Sequence, residues 1–350
     1  MSLDPHQRPP DPIRNAYKKY QKLRGAALDD DPELLDLRGR NSVDGLRVVR
    51  SLSSADLRAA FRAFLADGST TSSALPEEPV PVYEHRCMPG LHIVPSLFPA
   101  PVQKSLLSRL IHRDLSNPAH RTNVHLHYHV PYPLESSSFF SHVPAPDPLF
   151  IPKDPTVHRP LSITQFLNKK LRWVTLGGQY DWTQKVYPST PPPPFPADVG
   201  ALLHGVFPDM EPQAAIVNFY SPGDTLSMHR DVSEGCDRGL VSISIGCDGI
   251  FVIGRKEPRI GSSADDLEKD SDILTIRLRS GDAVYMSGPS RFAWHGVPQI
   301  VPDTCPEWLE NWPAPSTDGL EGGDHEGVYE EWKGWMRAKR INLNVRQMWE

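Results

Sequence analysis

The sequence is poor in cysteine, carries no excess of positive charge and has no long apolar run. Its four cysteines, Cys87, Cys236, Cys247 and Cys305, form no C-x-x-C pair. Their spacing therefore suggests neither a zinc site nor a small disulfide framework. No stretch approaches the ~20 apolar residues needed to cross a membrane, so no membrane partner is expected. No secretory leader is expected either. A reducing, intracellular compartment is the default, with nucleus, cytoplasm and mitochondrion not separated. A formal net charge of −6 is not that of a protein coating DNA non-specifically.

What is abundant is proline, 37 of 350 residues, most of it before residue 200, which predicts long irregular connections there. Eight Trp, twelve Phe and ten Tyr are enough for a substantial core. Residues 1–88 read as an N-terminal extension, with short helices near Ile13–Leu23 and Ser54–Leu65 and a Ser/Thr/Pro/Glu-rich linker from 66. Residues 89–211 read as a helical support region. From 212 to 350 the chain reads as short strands with turn signals between them, a sandwich or barrel, with an acidic insertion at 299–338. Local basic segments persist despite the net charge. Lys169, Lys170 and Arg172 run into Trp173, the mixture of cation and aromatic that a nucleic-acid groove needs. A solvated helix face is the simpler reading of charge alone.

Two constellations carry chemistry. His229 and Asp231 are two apart, so on an extended chain an imidazole and a carboxylate face the same side. His295 follows at a distance a barrel strand can bring back. Two histidines and one carboxylate leave three positions of an octahedron open, as non-haem Fe(II) oxygenases require. An isolated H-x-D occurs by chance in many chains. The alternating His125, His127 and His129 lack a carboxylate and read as a surface or loop run. In the last strand Arg340, Asn342, Asn344 and Arg346 share one face, and Ile341, Leu343 and Val345 the other. A solvated polar face is one reading. A site for a dicarboxylate is another, because guanidinium groups bind carboxylates bidentately and stay charged when desolvated. Asn218 and Tyr220 form a similar i, i+2 pair ahead of the metal motif.

These residues resemble the core of the AlkB-type nucleic-acid dioxygenases. The match runs through Asn218-Phe219-Tyr220-Ser221-Pro222-Gly223, His229-Arg230-Asp231, Leu240 to Gly246, Gly281-Asp282, Ser287 to Arg291, His295 and Arg340-x-Asn342-x-x-x-Arg346. Upstream, Leu171 to Gly177 and Tyr180-Asp181-Trp182 are similar to the homologue-1 branch. The resemblance implies an α+β protein with a double-stranded β-helix, jelly-roll-like, flanked by helices and covered by a nucleotide-recognition lid. It implies Fe(II) held by His229, Asp231 and His295, with 2-oxoglutarate and dioxygen as co-substrates. Arg340 and Arg346 would hold 2-oxoglutarate, helped by Asn218, Tyr220 and Asn342. Trp173 and Tyr180 would contact the target nucleotide. Two departures stand out: Ser233 replaces an acidic residue of bacterial AlkB, and the lid turn at Gly254-Arg255-Lys256 reads as short.

The expected activity is oxidative demethylation of an N-methylated base, methyladenine foremost, in DNA or tRNA, by a monomer. One rival is the same chemistry on a protein or small molecule. A rival of another class is a catalytically silent nucleic-acid-binding module.

Overall fold

The computed structural model describes residues 4, 7–39, 44–65, 75–134, 137–181, 187–188, 190–256, 271–314 and 329–350. Its first strands are β1 (Leu34–Leu35), β2 (Leu46–Leu52), β3 (Val80–His85), β4 (Leu91–Val94), β5 (Tyr128–His129), β6 (Ile151–Pro152) and β7 (Trp173–Gly177). They are followed by β8 (Ala214–Tyr220), β9 (Leu226–His229), β10 (Leu240–Gly246) and β11 (Gly249–Lys256). The last are β12 (Ser271–Leu278), β13 (Ala283–Met286), β14 (Trp294–Ile300) and β15 (Arg340–Arg346). The larger sheet has the order β2-β3-β4-β13-β10-β15-β8-β7, and the smaller β1-β12-β11-β14-β9. From β8 onward the chain crosses repeatedly between the sheets. β8, β10, β13 and β15 lie in one, and β9, β11, β12 and β14 in the other. This is the winding of the expected double-stranded β-helix.

The extension and the barrel are not separate. The segment 1–88 supplies β1 to the smaller sheet and β2 and β3 to the larger one, and β4 and β7 extend the larger sheet from within 89–211. The expected linker after residue 66 thus contains a strand, β3. Its sequence hides it, since Pro81 interrupts the pattern. At Pro81 the strand pairs only with β2, so the missing N–H breaks no ladder on the other side. β2 lacks apolar alternation, and most of its side chains are exposed. Pairing with β3, not a buried face, makes it a strand. Gly254-Arg255-Lys256 is also no turn: it is paired with Ile273, Asp272 and Ser271 of β12. The connection that follows, and residues 315–328 of the acidic insertion, lie outside the described residues, as does Trp182.

Helices cover the outer faces: α1 (Asp11–Lys22), α2 (Ser54–Leu65), α3 (Ala100–Ser108) and α4 (Ala197–Val206). Leu57 and Phe61 of α2, Leu106 of α3 and Leu202 of α4 join Ile341, Leu343 and Val345 of β15 in one apolar cluster. On the smaller sheet, Tyr20 of α1 packs with Leu28, Leu34, Ile250 and Val252. A Cβ at Gly254 would lie 2.8 Å from Ile13, so glycine there lets α1 approach the sheet. Ahead of β7 the chain makes one α turn, Ile163–Gln165, capped by Ser162 and running into a π-helical turn, Phe166–Lys170.

Burial also sets a pH dependence far from the barrel interior. His112 stacks between Tyr329 (4.4 Å) and Trp312 (5.0 Å), and its Nδ1 meets Ser138 Oγ at 2.9 Å. Burial pushes its pKa down to about 4. An unfolded chain takes up this proton near pH ~6.5. The contribution of His112 to stability is therefore complete above about pH 6.5 and is lost as pH falls toward 4. A His112→Phe variant should lose that part of the dependence. Melting temperatures of both proteins from pH 4 to 7.5 would show it, and parallel curves would refute it.

Candidate active site

β9 and β14 are antiparallel neighbours, and His229 stands directly opposite His295. Their rings are 4.4 Å apart. Asp231, two residues beyond His229, places Oδ1 3.6 Å from His229 Nε2 and Oδ2 3.9 Å from His295 Nε2. One ligand atom from each residue lies within 4.8 Å of the others, and among the described residues no other group of His, Cys, Asp or Glu does this. Each imidazole has its Nδ1 against a backbone carbonyl, Ser227 O at 2.8 Å and Ala293 O at 3.1 Å. A carbonyl only accepts, so Nδ1 carries the hydrogen and Nε2 presents its lone pair. His295 Nε2 and Asp231 Oδ2 are buried and have no hydrogen-bond partner. Buried polar atoms are normally satisfied. Two orphaned ligand atoms aimed at one point, with an anionic oxygen between two neutral nitrogens, fit a divalent cation.

The electrostatics agree. Burial alone would raise the Asp231 carboxyl, but Arg346 above all, then His229, His295 and Arg291, hold it well below the usual carboxylate range. Burial, helped by His229, pushes His295 down to about 4, so it is a neutral ligand at physiological pH. The alternating His125, His127 and His129 fall in a short 3-10 turn and a two-residue strand, and join no such cluster.

β15 lies in the larger sheet between β8 and β10, with its polar face turned between the sheets. Arg346 Nη2 is 3.5 Å from Asp231 Oδ2. Arg340, opposite Tyr220, donates to Ser244 Oγ (2.7 Å), the Cys247 carbonyl (3.2 Å) and the Leu278 carbonyl (3.3 Å). A Cβ at Gly249 would lie 2.7 Å from Arg340 Nε, so glycine leaves the room this guanidinium occupies. Arg340 Nε, Arg346 Nε and the Tyr220 hydroxyl are all buried without partners. Three orphaned donors along one interior face suit an acid with a carboxylate at each end. Asn342 is instead spent on β10, donating to Ser242 Oγ (2.8 Å) and the Ile243 carbonyl (3.1 Å).

Trp173 is on β7, in one row with Asn218 and Asn342, so it shares the interior face. Tyr180 reaches the metal cluster by another route: its hydroxyl bonds to Ser233, beside Asp231. The aromatic pair is therefore brought to the site, one from the sheet edge and one from the loop after it. Tyr187, which packs edge-on against Tyr180 at 5.1 Å, joins them.

Sequence reasoning missed Tyr187, Glu234 and Arg291 as site residues. Glu234 bridges two arginines: Oε1 accepts from Arg346 Nη1 at 3.0 Å, and Oε2 is 3.2 Å from Arg291 Nη2. Both side chains of the second pair are 1% exposed. Arg291 also donates to the backbone carbonyl of Asp231 at 3.0 Å. Glu234 sits in a Ser- and Gly-containing loop, where a glutamate reads as a solvated turn. Only its distance from Asp231 in sequence could have drawn attention to it.

A double-stranded β-helix with two histidines and one carboxylate at an open metal position defines a non-haem iron oxygenase. The comparisons are specific. Residues 124–346 match the family described as the 2OG-Fe(II) oxygenase superfamily. The chain is 49% identical to "N6-methyladenosine RNA demethylase ALKB1" of Pyricularia oryzae, covering 99% of this chain and 98% of that protein. It is 53% identical to "N6-methyladenosine RNA demethylase ALKBH" of Cryphonectria parasitica, over 64% of this chain and 99% of that one. It is 37% identical to "tRNA demethylase abh1" of Schizosaccharomyces pombe, over 76% of this chain and 82% of that one. This chain belongs to the 2OG-Fe(II) oxygenase superfamily, in the homologue-1 branch of the AlkB family. Fe(II), 2-oxoglutarate and dioxygen are the cofactor and co-substrates of that chemistry. No helix among the described residues is long and apolar enough to cross a membrane.

Proposed function

We propose that this chain removes N-methyl groups from adenine in RNA by oxidation dependent on Fe(II) and 2-oxoglutarate, with His229, Asp231 and His295 as metal ligands. The observation that carries the reading is the pair of orphaned ligand atoms, His295 Nε2 and Asp231 Oδ2, facing His229. The choice of adenine in RNA is supported by the relatives named as N6-methyladenosine RNA demethylases. When bound, Fe(II) supplies the activation of dioxygen against 2-oxoglutarate that oxidises the methyl group, which leaves as formaldehyde.

The chain's own residues have separable tasks. Ser227 and Ala293 carbonyls orient the two imidazoles. Arg346 holds the carboxylate near the metal, and Glu234 fixes Arg346 by its other Nη. Arg340 and Tyr220, opposite each other, hold the far carboxylate. Asn218 and Asn342 line the same face between them. The methylated base must be unpaired or flipped to reach this interior. Trp173 packs on it, and Tyr180 closes the side next to Asp231.

Incubating the iron-loaded protein with methylated RNA and DNA oligonucleotides, and with peptides, is the direct test. Nucleoside mass spectrometry should show loss of N6-methyladenosine with equivalent succinate. Turnover of peptides with no change in any nucleoside would sink the proposal. Trp173→Ala should lower kcat/KM for methylated RNA ~5- to 150-fold, as expected for ~1–3 kcal/mol of stacking, with little change in salt dependence. An unaltered kcat/KM would make Trp173 a structural residue of β7.

A further inference from the structure

One buried cation outside the metal site has no carboxylate against it. Lys339, immediately before β15, is 8% exposed. Its Nζ donates to the Asn168 carbonyl (3.0 Å) and to Ser221 Oγ (2.9 Å), and sits over the Trp335 ring at 5.4 Å. Among the described residues its ammonium makes no ion pair, and the nearby Asp224 is engaged by Arg172. Burial lowers its pKa to about 8, with Asp224 opposing the shift and Arg172 adding to it. A buried ammonium without a counter-ion is costly, so proteins rarely keep one without a use.

Lys339 lies at the base of an open groove of about 430 Å³, lined also by Thr164, Asn168, Ser221, Glu331 and Lys333. Ser221 Oγ accepts from Lys339, which leaves its own hydrogen to donate. Lys333 is exposed at the lip, paired with Glu330 at 3.0 Å. The third hydrogen of the Lys339 ammonium and the Ser221 hydroxyl hydrogen are two donors at one spot, which suits an anion with several oxygens. The walls include Trp332 and Trp335, which are only 5% and 7% exposed and so leave little ring surface on which a base could stack. The groove is also connected to the proposed base site. Asn168 belongs to the turn Phe166–Lys170, whose exposed Lys169 and Lys170 lead directly to Trp173. It lies at the Arg340 end of β15, whereas Arg346 and Asp231 are at the other.

We infer that this groove is a phosphate subsite, in which Lys339 is the counter-ion to a backbone phosphate of the substrate RNA beyond the nucleotide being demethylated. The inference rests on the RNA-demethylase reading above. It makes the contact independent of sequence, because phosphates position a strand without identifying its bases. Phosphate would restore the charge of Lys339, so binding takes up a proton and weakens as pH rises through about 8. The other charged groups around the groove are Arg172 and Asp224, paired with each other, and the exposed Glu331 and Lys333.

The test is fluorescence anisotropy with an unmethylated single-stranded RNA of about twelve nucleotides, across a range of salt. Lys339→Met keeps the aliphatic stem and removes the charge. Asn168→Asp, at an exposed position, keeps Lys339 and brings in a repelling carboxylate. Each should weaken binding ~5- to 20-fold, and Lys339→Met should reduce the salt slope by about 0.7, the loss of one single-strand phosphate contact. Losing an unpaired buried charge should leave the melting temperature unchanged or higher. Wild-type affinity and slope in Asn168→Asp and in a folded Lys339→Met would overturn the subsite. So would inorganic phosphate that binds through Lys339 as tightly as the RNA does, since the groove would then be a small-anion site. A wild-type protein that binds RNA through Lys339 but releases no formaldehyde from methylated RNA would refute the demethylase reading and leave the subsite standing.

Discussion

Asp231→Ala is expected to abolish turnover while the protein stays folded. The carboxylate is the one anionic group in the metal cluster, and it lies within 3.5 Å of Arg346. Its removal leaves two neutral imidazoles facing the positive charges of Arg346 and Arg291, a poor environment for a divalent cation. Glu234 still pairs with both arginines, so each keeps a carboxylate partner and the packing around the site is held. Loss of an outer partner of a metal ligand typically costs roughly 10–100-fold in metal affinity or activity. Loss of the ligand itself should exceed that. His229→Ala should behave alike, since its Nε2 lone pair has no substitute nearby. Titration with Co(II) followed by its absorption, alongside succinate release, gives metal affinity and activity separately. Near-normal turnover with unchanged metal binding in either variant would show that the cluster is not the metal site.

Arg346→Lys is expected to raise the requirement for 2-oxoglutarate and to lower efficiency at least ~10-fold, corresponding to ~1.4 kcal/mol of charge-assisted bonding. Charge is conserved in this change, but geometry is not. Arg346 uses one Nη on Glu234, sets the other near Asp231, and keeps a buried Nε without a partner. A lysine ammonium carries all its donors on one nitrogen and cannot reach partners spread around the planar fork of a guanidinium. Arg340→Lys should show the same signature from the other end, because Arg340 is fixed by three acceptors while its Nε is left over. Saturation curves for 2-oxoglutarate, and its direct binding by calorimetry in the presence of Mn(II), would measure both. A 2-oxoglutarate dependence unchanged in both variants would point to another binding mode.

The chain's own pattern was enough to find β8, β10, β11, β12, β13 and β15, because these are short, carry β-branched residues and are bounded by turn residues. It was also enough to pair His229 with Asp231, since i, i+2 residues of an extended segment share a face whatever surrounds them. β2 and β3 were not legible. One lacks a buried face and the other carries Pro81, so only their pairing with each other makes them strands. Glu234 was not legible either, since nothing local distinguishes a turn glutamate from one enclosed by two arginines.

Which side of β15 is the inside could not be read from its alternation. Arg340, Asn342, Asn344 and Arg346 make one face polar, and an isolated strand with that pattern would turn it to water. In the fold all seven residues of β15 are buried. Helices cover the apolar face, and the polar face points between the sheets, toward Asp231. The period of two is a property of the backbone, so the sequence by itself determined which side chains stand together. Which of the two faces meets solvent depends on what packs against the sheet, and that was decided by α2, α3, α4 and the smaller sheet.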